Sequence, residues 1–154
     1  MQSNHFYVTL YSIASQEIYP DNKQAAFTIH LAQPIDLGSS SDWEVGLREV
    51  TYKPPKRHIV KGTVVEFISE INALIYCDLI ATQFVGKDIV RVLRPIILWS
   101  VLGKHLFQNM YHLPVEKDEF QDIRIEIKRL DGEPPEFEAS EAPVQIVLHF
   151  RRVQ

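Results

Sequence analysis

The chain has 154 residues, 45% apolar and 23% charged, with a net charge of −4. Such values fit one globular domain and exclude disorder; a chain this long buries roughly 68–70% of its unfolded surface, enough for a core without staples. The acidic balance argues against nucleic acid as the main partner, and the single cysteine, Cys77, excludes an intramolecular disulfide and points to a reducing compartment.

The start, MQSNHFYV, has no basic region ahead of an apolar stretch, so no signal peptide is expected. Phe6, Val8 and Leu10 then alternate with Tyr7, Thr9 and Tyr11, the period of a half-buried strand. SIASQEIYPDN is a polar connection closing on a Pro-Asp-Asn turn signal. Phe27, Ile29 and Leu31 alternate with Thr28, His30 and Ala32 until QPIDLGSSSD breaks the pattern. Trp43, Val45 and Leu47 resume it against Glu44, Gly46 and Arg48, as far as KPPK at 53–56.

TVVEFI, residues 63–68, has the β-branched enrichment of a strand. NALIYCDLI, residues 72–80, is nearly continuous in apolar residues, as expected of a strand buried on both faces or wrapped at a sheet edge. IVRVLRPI, residues 89–96, alternates and stops at Pro95. The longest apolar run, near residues 95–102, is far short of the ~20 residues that cross a bilayer, so no membrane span is expected. Leu98, Leu102, Leu106 and Phe107 have helical spacing and suggest one short helix within 97–109, against which Gly103 counts. YHLPVEK is a short strand or an extended linker.

The most regular stretch is FQDIRIEIKRLDGEPPEF, residues 120–137. Ile123, Ile125 and Ile127 point one way; Asp122, Arg124, Glu126 and Lys128 point the other. EPPEFEASEAP then reads as a loop of polyproline character. Val144, Ile146, Leu148 and Phe150 alternate with Gln145, Val147 and His149 before Arg151 and Arg152. About eight short strands with turn-rich joints and no βαβ alternation predict an all-β sandwich or barrel. Each ribbon then packs one face on a second sheet and turns the other to solvent or a partner.

Reaction chemistry is hard to find. His5, His30, His58, His105, His112 and His149 show no metal-ligand spacing within one element, and the His-x-His of a cupin is missing. Cys77 sits in an apolar run and reads as a small buried hydrophobe. No serine lies in a G-x-S-x-G frame, and no glycine run cradles phosphate. Glu116, Asp118 and Glu119, interleaved with Lys117, read as a solvated turn. Lys53, Lys56, Arg57 and Lys61, like Arg151 and Arg152, read as solvated charge. Trp43 is expected in the core and Trp99 in the core or an interface. An enzyme, a metal and a cofactor are therefore not expected.

Five phrases carry a resemblance. FYVTLYSIASQEIYPDNKQAAFTIHLAQPIDL and DWEVGLREVTYKPP open the chain; NALIYCDLIATQFVGKDIVRVLRP, YHLPVEKDEFQDIRIEIKRLDGEPPEF and VQIVLHFRR follow in order. Together they resemble the minor capsid, or penton, proteins of Polinton/Maverick elements and their adintovirus relatives. Residues 57–71 and 97–109 lie outside the likeness, and Arg48-Glu49-Val50 stands where that family's pattern has a cysteine and an aromatic.

The resemblance implies a single jelly roll over residues 1–154, with two four-stranded antiparallel sheets. It implies a structural protein of the virion, made in the host cytoplasm or nucleus. Five copies would ring each fivefold vertex as a homopentamer, surrounded by a double-jelly-roll major capsid protein. Within such a ring, the sign-mixed face of Arg124, Glu126 and Lys128, with Trp99, is the expected subunit interface. Two other readings of the same sandwich stand beside it: a lectin-like or cytokine-like binding module, and a cupin-like enzyme assembled from distant strands.

Overall fold

The structure, a computed structural model, describes residues 4–53, 58–60, 63–65, 70–99, 103–135, 137 and 143–153. Among these residues the strands are β1 (His5–Tyr11), β2 (Ala26–Asp36), β3 (Trp43–Thr51), β4 (His58–Val60), β5 (Thr63–Val65), β6 (Glu70–Cys77) and β7 (Gln83–Val85). There follow β8 (Asp88–Val90), β9 (Val92–Trp99), β10 (Lys104–Leu106), β11 (His112–Pro114), β12 (Glu119–Arg129) and β13 (Gln145–Arg152).

Two antiparallel sheets make the body. The first runs β1-β13-β3, with β10 and β11 sharing the far edge of β3; the second runs β2-β12-β6-β9. This interleaving is that of a single jelly roll, in which successive strands of the sandwich alternate between the sheets except for β6 and β9, which pair within the second. The broken edge strand is one strand position in two pieces. Lys104–Leu106 pairs with Glu49–Thr51 and His112–Pro114 with Glu44–Gly46, while residues 107–111 loop out between them. The hairpins β4-β5 and β7-β8 are insertions in the connections that flank β6.

Alternation builds the core. Ile123, Ile125 and Ile127 of β12 are fully buried, as are Phe27, Ile75, Leu10, Val45, Leu47, Ile146, Leu148 and Phe150. Each such side chain contributes about 1.5–3 kcal/mol by leaving water. Phe120 of the second sheet stacks on Phe150 of the first at 5.8 Å between centroids, and Phe150 in turn stacks on Phe6 at 4.8 Å. Trp43 is buried as expected, its indole N–H donating to the Leu37 carbonyl at 3.1 Å. The run 72–80 is neither buried on both faces nor at a sheet edge: through Cys77 it belongs to β6, inside the second sheet, where Ala73, Ile75 and Cys77 point inward and Leu74 and Tyr76 outward, and residues 78–80 turn away from the strand.

Two further expectations need correction. No helix occurs at the described residues of 97–109; β9 extends through Trp99, and β10 begins at Lys104. Leu98 lies in β9, which pairs with β6 in the second sheet, whereas Leu106 lies in β10, which pairs with β3 in the first, so the leucine spacing runs across two strands and not along one helical face. Nor do Pro34 and Pro95 end their strands. Both lie inside β2 and β9, which are the two edges of the second sheet. There a missing N–H costs no ladder bond. Finally, Arg48 is an extra residue in β3, where the register with β13 slips between Val147 and Leu148. That bulge lets Leu47 and Val50 both face the core.

Candidate functional site

Outward positions of β12 carry the ionic stripe. Arg124 Nε lies 2.9 Å from Glu126, whose other oxygen is 3.2 Å from Lys128 Nζ. Burial pushes the Glu126 carboxyl up, but these two cations outweigh it and hold the group below its usual range. Arg124 also donates to Thr28 Oγ1 at 3.0 Å, and the Lys128 ammonium sits 5.2 Å from the Tyr76 ring. Farther along, Asp122 accepts from Tyr19 Oη at 2.7 Å and contacts His30 Nδ1 at 2.9 Å; these bonds keep its carboxyl low. The stripe therefore pairs largely within its own sheet. Trp99 closes β9 on the opposite edge, and its side chain lies outside the described residues.

Exposed apolar side chains collect on the two flanks of the sandwich. On the β1–β2 flank, Tyr7, Tyr11, Ile13 and Ile18 are exposed. On the other flank, Ile97 of β9, Leu106 of β10 and Tyr111 of the looped-out segment are exposed. Arg94 knits this second flank together. Its guanidinium lies 3.9 Å from the Phe107 ring centroid and 4.4 Å from that of Tyr111, and donates to the Asn109 carbonyl at 2.9 Å. Beside it runs a groove of about 540 Å³, lined among others by Leu74, Pro95, Ile97, Phe107 and Leu130. A third apolar pair, Phe84 opposite Ile89, stands on the β7-β8 hairpin.

The outer face of the first sheet holds a row that sequence spacing could not reveal. His112 Nε2 is 2.9 Å from His149 Nδ1, and His149 Nε2 is 3.2 Å from His5 Nδ1. The three rings come from β11, β13 and β1, with Gly46 of β3 between the first two. A Cβ on Gly46 would lie 2.9 Å from the Tyr111 carbonyl oxygen and 3.2 Å from the His112 ring, so only glycine lets β11 approach. The alternation of β13 does place His149 outward. What puts it beside residues 37 positions upstream and 144 positions upstream is strand order.

These rings do not make a metal centre. The central imidazole spends its two nitrogens in opposite directions, and no group of three His, Cys, Asp or Glu among the described residues can hold a metal ion. His30 and His105 are engaged with Asp122 and Tyr52 respectively. Cys77 is buried, which pushes its thiol up to about 12, far from a reactive thiolate. Glu116, Asp118 and Glu119 are exposed, in keeping with a solvated turn. Among the described residues no helix is long and apolar enough to cross a membrane. No family model, curated protein or solved structure matches the chain.

Proposed function

We propose that the protein is a structural shell subunit, a penton-type capsid protein whose task is to join five copies of itself in a ring and to meet a surrounding double-jelly-roll capsid protein at a virion vertex. The observation that carries this reading is the distribution of exposed apolar side chains: Tyr7, Tyr11, Ile13 and Ile18 on one flank, Ile97, Leu106 and Tyr111 on the opposite one. A closed ring requires a heterologous contact, one flank of each copy against the other flank of the next. Surface aromatics and aliphatics at opposite edges of one body suit that geometry, while an isologous dimer would need a single patch. A stable contact buries on the order of 1,200–2,000 Å². The jelly-roll order of the sheets and the likeness of five phrases to penton proteins support the same reading.

In this scheme Arg124, Glu126 and Lys128 set register more than affinity, because their charges are already paired within the subunit. The test is mass by light scattering across a concentration series, alone and with the major capsid partner. A fivefold mass is expected, lost in the double variant Leu106→Asp with Tyr111→Asp and retained in Arg124→Glu. A mass of one subunit under both conditions would overturn the proposal.

A further inference from the structure

Each sheet has two lateral edges, and the four are unequally protected. At one edge of the second sheet, β2 is capped by the connection that precedes it. Asn22 accepts from the Thr28 N–H at 2.9 Å and donates to the Thr28 carbonyl at 2.8 Å, and the Ser15 hydroxyl accepts from the His30 N–H at 2.9 Å. The far edge of the first sheet is cut by residues 107–111 into β10 and β11, of three residues each. Capped and interrupted edges resist pairing with another chain.

β1 and β9 have neither protection. In β1 the Ser12 N–H donates to the Val144 carbonyl and the Asn4 carbonyl accepts from the Arg152 N–H, so even-numbered residues bond β13 and odd-numbered ones turn their backbone groups outward. Among the described residues, the N–H and C=O of Tyr7 and Thr9 and the N–H of Tyr11 meet no partner, whereas the Tyr11 carbonyl accepts from the Ala14 N–H at 3.0 Å. In β9, Pro95 sits opposite Leu74 without an N–H to give, which turns the backbone groups of Pro95 and Ile97 to the outer edge. There Ile97 likewise meets no partner among the described residues. Each sheet thus keeps one open edge, and the two lie on opposite flanks of the sandwich.

We propose that these two edges are partners: β1 of one copy adds antiparallel to β9 of the next, with Tyr11 opposite Pro95 and Thr9 opposite Ile97. The pairing rests on the ring proposed above and names the contact that closes it, strand addition between subunits. Its register follows from donors and acceptors. Outward residues of two antiparallel edges meet as pairs that exchange both backbone bonds. Pro95 has no donor, and Tyr11 has the one carbonyl already in use, so placing them opposite each other wastes nothing. The Tyr11 N–H then donates to the Pro95 carbonyl, and Thr9 and Ile97 exchange two bonds. Pairing of β1 with a second β1 about Thr9 is inferior, because it sets the Tyr7 N–H against the occupied Tyr11 carbonyl twice. Side chains agree with the choice. Thr9, Tyr11, Pro95 and Ile97 are all exposed and uncharged, and the register sets aromatic beside proline and β-branched beside β-branched. Ile13 and Ile18 border the first edge, and Leu106 and Tyr111 border the second.

The test is amide exchange of the full chain, read residue by residue in the single subunit and in the fivefold species. In the fivefold species the Thr9, Tyr11 and Ile97 amides are expected to exchange on the order of a hundredfold more slowly than in the single subunit. Those of Val8 and Leu10, bonded to β13 in both, are expected to stay as they are. Thr9→Pro removes a donor that the fold itself does not use and is expected to give a folded single subunit; Thr9→Val keeps the amide and is expected to keep the ring. Should Thr9→Pro fold poorly, exchange in the unaltered chain decides. A fivefold mass with the Thr9 and Ile97 amides unprotected would overturn the pairing and leave the ring standing. A twofold species protected at Tyr7 and Thr9 but not at Ile97 would assign the edge to self-pairing and overturn it as well. A mass of one subunit under every condition would remove ring and pairing together.

Discussion

The outer faces of the two sheets arise from the same alternation and solve different problems. On the second sheet, Arg124, Glu126 and Lys128 are exposed or half-buried ions of opposite sign, so each removed partner is replaced by water. On the first sheet, His149 is only 9% exposed, and its partners on either side are imidazoles that can be neutral donors and acceptors. Water cannot readily stand in there. A solvated ion pair tolerates loss; a closed row of shared protons does not.

The largest expected effect sets the baseline for both faces. Ile125→Ala empties a fully buried position on the inner side of β12 and is expected to cost about 2–5 kcal/mol in urea unfolding. Its neighbour Arg124, one residue away on the outer side, provides the contrast below. If both substitutions cost the same, the division into inner and outer faces is wrong.

Next comes Gly46→Ala. The added methyl would meet the Tyr111 carbonyl, which is backbone and yields little, and the His112 ring. A cost of about 1–3 kcal/mol is expected, typical of overpacking, with loss of amide protection concentrated in β11. A neutral result would mean that the edge of the first sheet is looser than its contacts indicate.

Acid should separate the faces in time of failure. His112 and His149 have folded pKa values below their unfolded ones. The unfolded chain then binds more protons, so their contribution is present above the unfolded value near ~6.5 and falls as pH drops through it. Asp122 and Glu126 are also depressed, but as carboxylates. Their contribution is present above the unfolded values near ~4 and is lost only below them. Denaturation midpoints against pH are expected to decline in two steps; a single decline at carboxylate pH would erase the distinction.

The smallest effect is expected from Arg124→Ala, about 0–1 kcal/mol, since its partners stay in water. A thermal scan should barely move. A larger shift would promote the stripe from solvated surface to a structural network.

Alternating residues such as Ile123, Ile125 and Ile127 made the inward faces legible, because burial of a strand face depends only on a period of two. The core position of Trp43 was legible for the same reason, from its place in the alternation with Val45 and Leu47, and that of Cys77 from the apolar run around it. Other features needed the partner strand to be known. Pro34 and Pro95 looked like strand ends, and Leu98 with Leu106 looked like helix, since a sequence does not say which strands are edges or where a regular spacing crosses from one sheet to the other. The histidine row was invisible, with His5, His112 and His149 spread across the chain. Local chemistry thus determined which way each side chain faces, and tertiary pairing decided which side chains meet. Facing is a property of one strand's geometry, whereas meeting depends on the order in which strands hydrogen-bond across the sheet.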